Sequence, residues 1–95
     1  MKVENYLANH QFHIYGENKH YLQSYKSLVV KIEGKYSNPT ITLGKDWDYS
    51  RTTLKYVYSF IEDYSHISFY GIKDKRKYID SLIKDGIIKY DEQMK

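Results

Sequence analysis

A serine at position 50, followed by Arg-Thr-Thr-Leu and then by apolar residues at helical spacing, constrains this chain more than any other feature. Asp46, Trp47, Asp48 and Tyr49 are poor helix formers, whereas the Ser50 hydroxyl can accept from the backbone N–H of Thr52 or Thr53, so a helix is predicted to begin at Arg51. Tyr49 and Leu54 then occupy the positions of a hydrophobic staple. Leu54, Val57, Tyr58, Ile61 and Tyr64 recur at three- and four-residue steps and form one apolar stripe, with Lys55, Ser59, Glu62 and Asp63 on the other side.

A one-sided helix needs an apolar surface to cover, and the residues before it read as strands. Residues 10–15 alternate, with Phe12 and Ile14 on one face and Gln11, His13 and Tyr15 on the other. Gly16-Glu17-Asn18-Lys19 supplies a hairpin turn, with positive φ expected at Gly16 or Asn18. Residues 20–33 carry apolar groups on both faces and read as one long central strand, bent or bulged near residues 24–27. Gly34 ends it. Pro39 removes a ladder donor as a third strand begins, and Gly44 stops that strand after Leu43.

Beyond the helix, residues 65–70 have the composition of a strand or a packed connector. A second helix is predicted from Asp74 as N-cap to Asp85, burying Tyr78, Ile79, Leu82 and Ile83. Gly86 and Ile87 then form a Schellman ending, and residues 87–90 a short last strand. The expected fold is α+β: a three-stranded antiparallel meander, a helix packed on it, a second shorter helix and a short C-terminal strand. One domain covers residues 1–95, with 1–9 (one helical turn or a flap) and 91–95 as frayed ends.

Twelve tyrosines, three phenylalanines and one tryptophan in 95 residues imply a thin aromatic core with phenol hydroxyls at its rim, a surface suited to recognition. Tyr15, Tyr21, Tyr25 and Tyr36, on or beside the strands, are the candidate partner contacts. Without cysteine there is no disulfide framework and no zinc-thiolate site. No basic stretch followed by an apolar one marks a secretion signal, and the longest apolar run, residues 28–30, is too short to cross a bilayer, so a cytoplasmic location is expected.

The net charge of +3 is mildly basic. Its densest expression is Lys73, Lys75, Arg76 and Lys77, which could meet phosphates while Tyr70 and Tyr78 stack on bases, or simply form a solvated helix face. Arg51, with Ser50, Thr52 and Thr53, reads either as an anion site at a helix start or as a capping motif. Trp47 reads either as a lid over the sheet or as an exposed recognition ring. His10 and His13 differ in parity, whereas His13 and His20 can meet across the hairpin; no metal is assigned to them. No carboxylate pair, nucleophile elbow, Gly-rich phosphate loop or metalloprotease helix is present, so a non-enzyme without cofactors is expected.

The segments SYKSLVVKIEG and WDYSRTTLKYVYSFIEDY together resemble small uncharacterised proteins of phages and mobile elements of Gram-positive bacteria, over residues 20–64. In those, a Ser-Tyr-Lys strand precedes a Tyr-Ser-x-Thr-Thr helix start. The resemblance implies an accessory protein that binds and inhibits a host protein, such as a CRISPR nuclease or restriction effector. The alternatives are a nucleic-acid-binding accessory protein using residues 73–77 and a self-assembling structural component, with a homodimer formed through exposed strand edges.

Overall fold

The structure is a computed structural model that describes residues 1–35 and 38–94. Its frame is a six-stranded sheet in the order β1 to β6: β1 (Lys2–Asn5), β2 (Gln11–Gly16), β3 (Lys19–Ser24), β4 (Ser27–Glu33), β5 (Thr40–Gly44) and β6 (Ile88–Asp91). The first five strands form an antiparallel meander. β6 returns parallel to β5 after helices α1 (Arg51–Tyr64) and α2 (Lys75–Lys84). The sheet is thus mixed and twice as wide as the three-stranded meander expected from sequence.

The extra strands have definite origins. Residues 1–9 are not a frayed helical turn, because Val3 and Glu4 pair with Ile14 and His13 as an edge strand. The long strand expected over residues 20–33 is two strands. Ser24 pairs with Ser27 across a two-residue turn in which Tyr25 takes φ 56°. Such a turn usually demands Gly or Asn, so a tyrosine there gave no turn signal. Residues 65–70 form a packed connector, burying Ile67 and Phe69.

The helix boundaries follow the local chemistry. Ser50 Oγ accepts from Thr53 N–H at 3.1 Å and caps α1. Asp74 caps α2 through the N–H of Lys77 at 3.1 Å. Ile87 N–H donates to Leu82 O and Gly86 N–H to Ile83 O, with Gly86 at φ 79°, which is the Schellman pattern. The Tyr49–Leu54 staple does not form, for Tyr49 is 81% exposed.

Both helices cover one face of the sheet, α1 against β3 and β4 and α2 against β6. Two cross-strand rows build that face: His13, Leu22, Val30 and Leu43, and Tyr15, His20, Ile32, Ile41 and Ile88. Leu22, Val30, Ile32, Ile41, Leu43 and Ile88 are buried against Val57, Phe60 and Ile61 of α1 and Ile79 and Leu82 of α2. Trp47 is buried, a lid and not an exposed ring. The opposite face runs through Val3, Ile14, Tyr21, Lys31, Thr42 and Lys89 and carries neither helix.

On β2 the buried residues are Gln11 and His13, while Phe12 and Ile14 stay half-exposed on the open face. The polar side is inside because the α1 aromatics Phe60 and Tyr64 pack on the His13 ring, at centroid distances of 5.4 and 4.6 Å.

Candidate binding groove

A groove of about 730 Å³ opens at the end of the sheet where the β3–β4 turn meets the start of α1. Its floor is Val29 and Thr53. Val29 reaches it because a β-bulge interrupts the β3–β4 register: Leu22 pairs with Val30 but Gln23 with Leu28, which leaves Val29 unpaired and turned inward. Ser24 joins the floor, its Oγ 3.3 Å from Thr53 Oγ1. Thr53 also receives the Ser50 hydroxyl at 3.2 Å, so hydroxyl-to-hydroxyl bonding fastens the hairpin turn to the helix start.

One wall is the stacked pair His10 and Tyr25, with centroids 5.0 Å apart and planes at 9°. Both residues have left-handed backbones, at φ 68° and 56°, and Tyr25 N–H donates to His10 O at 2.7 Å. Left-handed backbone costs a bulky non-Gly residue about 1–3 kcal/mol, and such conformations cluster at functional sites. Leu7, at φ 66°, lies in the same β1–β2 connection as His10. The rim is Tyr49 and Lys26, both exposed, and the far end is Asp46, whose Oδ2 accepts from Ser27 Oγ at 2.7 Å. Asp46 is thus already engaged, and Lys26 takes part in none of the ion pairs among the described residues. The lining thus combines an aromatic wall and rim with a floor of Val29 and the Ser24 and Thr53 hydroxyls, and Lys26 is exposed beside it.

A second cluster joins β1, β2 and β3 to the C-terminal half of α1. His13 Nε2 and His20 Nδ1 are 2.9 Å apart, so one donates to the other, and His13 Nδ1 faces Glu4 Oε1 at 3.4 Å and Tyr64 Oη at 3.3 Å. Burial pushes His13 below the ordinary histidine value, against the opposing pull of Glu4 and Asp63; burial and then the neighbouring His13 do the same to His20. Nearby, Tyr6 Oη donates to Asp63 Oδ2 at 2.6 Å, and burial raises its phenol further above the usual range. These contacts satisfy one another and tie the helix to the sheet. Among the described residues no three His, Asp or Glu side chains converge as a metal site would need.

Three of the four candidate partner-contact tyrosines lie in different surroundings. Tyr25 lines the groove; Tyr21 lies on the open sheet face; Tyr15 stacks on His13 at 4.4 Å; Tyr36 lies outside the described residues. Arg51 and Lys75 border a shallower cleft with Leu54, Tyr58 and Glu62. Lys73, Lys75 and Lys77 are exposed, but Arg76 is bound to Asp48 and Asp80 and lies over the Trp47 ring, 5.6 Å from its centroid. The basic segment is therefore partly neutralised.

His10, Lys26, Val29 and Asp46 are groove residues that sequence reasoning did not mark. The signal was present in another form: the two segments singled out for their resemblance, Ser-Tyr-Lys-Ser and Tyr-Ser-Arg-Thr-Thr, are the ones that meet here, through Ser24 and Thr53.

The sheet, its two helices and this groove define a small α+β domain. Residues 1–80 match DUF8033, a family of unknown function, and the chain belongs to that family. No curated protein and no solved structure matches it significantly. Among the described residues no helix is long and apolar enough to cross a membrane.

Proposed function

We propose that the protein is a non-catalytic protein-binding module whose groove seats an aromatic or aliphatic side chain of a partner, with an acidic neighbour on that partner reaching Lys26. The observation that carries this reading is the His10–Tyr25 stack. Two aromatic residues hold unfavourable backbone conformations, and the wall they build borders an apolar groove. A stacked ring beside Val29 and the Ser24–Thr53 pair gives contact area at low entropic cost, as in protein recognition surfaces. Inhibition of a host effector in the cytoplasm, the form the resemblance implies, is the same mode of action: a bound surface is an occluded one.

Selection from a displayed random-peptide library tests this. The wild-type protein is expected to enrich peptides with an aromatic or large aliphatic residue beside Asp or Glu, and Tyr25→Ala to lose that enrichment. Equal enrichment by both proteins would place recognition elsewhere.

Nucleic-acid binding through residues 73–77 has less to support it, since the Arg76 guanidinium is held by two carboxylates. It predicts retention on DNA or RNA at low salt that is lost in Lys73→Glu/Lys77→Glu, with the groove intact.

A further inference from the structure

β1 lies at the edge of the sheet, paired with β2 on one side only and exposed at every residue. We propose that this edge is an isologous interface, at which β1 pairs antiparallel with β1 of a second copy of this chain about a two-fold axis at Val3.

The hydrogen-bond pattern restricts the register. Tyr6 N–H donates to Gln11 O at 2.8 Å, and antiparallel ladders alternate bonded and non-bonded pairs, so Glu4 and Lys2 bond toward β2. The N–H and C=O groups of Val3 and Asn5 therefore point away from the sheet, as unpaired edge groups. A second β1 must meet outward groups with outward groups, and registers centred on Lys2, Val3 or Glu4 do so.

Charge selects among them. Centring on Lys2 sets Lys2 against Lys2 of the second copy, and centring on Glu4 sets Glu4 against Glu4. Centring on Val3 sets Lys2 opposite Glu4 of the second copy and Glu4 opposite its Lys2. Those pairs fall at non-hydrogen-bonded positions, where side chains approach most closely. The alternation Lys-Val-Glu is self-complementary in this arrangement alone.

The apolar surface agrees. Met1, Val3 and Leu7, 73%, 62% and 70% exposed, all lie on or next to this edge. Val3 extends the open-face row through Ile14 and Tyr21. Pairing at Val3 joins that row to its counterpart and makes two six-stranded sheets one continuous sheet. Natural sheets protect long exposed edges, and this pairing protects β1 with the chain's own sequence.

Sedimentation equilibrium of the full chain without an N-terminal tag, from micromolar to millimolar concentration, provides the test. The wild type is expected to dimerise reversibly. Lys2→Glu and Glu4→Lys, each turning both pairs into like-charge pairs, should weaken the dimer about tenfold or more, and the Lys2→Glu/Glu4→Lys double variant should restore it. Val3→Pro removes an outward N–H without touching the β2 ladder and should abolish the dimer, with the monomer's circular dichroism unchanged. A wild type that stays monomeric throughout overturns the proposal. So do charge reversals without effect, or a double variant no tighter than the singles.

Discussion

His10 and Tyr25 stack almost in parallel while each holds a left-handed backbone, and the carbonyl of the first accepts the N–H of the second at 2.7 Å. The Tyr25 conformation also makes the two-residue turn between β3 and β4, while both rings lie outside the buried core around Leu22, Val30 and Phe60. The arrangement costs backbone energy and gives in return a fixed aromatic wall beside an apolar groove.

Tyr25→Gly separates the two terms. Glycine suits positive φ, so relief of strain of about 1 kcal/mol offsets much of the lost stacking. Denaturant midpoints should therefore stay within about 1 kcal/mol of wild type, while capture of the selected peptides is lost. A variant that unfolds readily would show the ring to be a structural prop instead.

Gly44 is the least replaceable glycine. A Cβ there would collide with the Leu28 carbonyl oxygen, and Met94 Cε lies just beyond at 3.1 Å. Gly44→Ala should cost about 3 kcal/mol, since backbone and not a flexible side chain must move. Gly86→Ala, in open space at φ 79°, should cost about 1 kcal/mol, the strain alone. Equal costs in urea titrations would contradict this account of the β4–β5 contact.

The histidine pair sets a pH dependence. His13 and His20 both titrate below the ordinary value of 6.5 in the folded chain, chiefly through burial, with Glu4, Asp63, Tyr15 and Tyr64 around them. As pH falls through about 6.5 the unfolded chain takes up protons first, so their contribution is full above that value and declines below it, until the folded pKa values are reached. Thermal unfolding from pH 8 down to pH 5 should show falling stability in the lower half of that window, and His20→Gln should flatten the profile. An unchanged slope in the variant would assign the dependence to carboxylates.

Gln11 is 1% exposed, and its Oε1 has no hydrogen-bond partner among the described residues. An unpaired buried acceptor costs about 1–3 kcal/mol, so Gln11→Met, of similar volume, should stabilise the fold by about 1 kcal/mol in equilibrium unfolding. Destabilisation would mean that the amide is bonded through its nitrogen to something the fold requires.

Capping and C-terminal chemistry were legible because they are local. Ser50, Asp74 and the Gly86–Ile87 ending each lie where their own side chains and neighbours dictate. The sheet was less legible. Tyr25 turns the chain at a position where sequence offers no glycine, and β1 is a strand through pairing alone, with no buried residue to give it a pattern. The inward face of β2 was inverted for a related reason: Gln11 and His13 become core only because Phe60 and Tyr64 stand over that side, a tertiary fact. The groove suffered most: the broken alternation pointed to a bend or bulge near residues 24–27, but not to the bulge at Val29, and the left-handed His10 leaves no mark in composition or periodicity.

In the function proposed above, the groove between the β3–β4 turn and the start of α1 recognises an apolar side chain beside an acid. Titrating ¹⁵N-labelled protein with the blocked dipeptide acetyl-Asp-Phe-amide, against acetyl-Lys-Phe-amide as control, tests it most directly. Saturable amide shifts are expected at Ser24, Tyr25, Lys26, Val29 and Thr53 with the acidic dipeptide, weakened by Lys26→Glu. Shifts confined to other surfaces, or none at these residues up to the solubility limit of the probe, would contradict it.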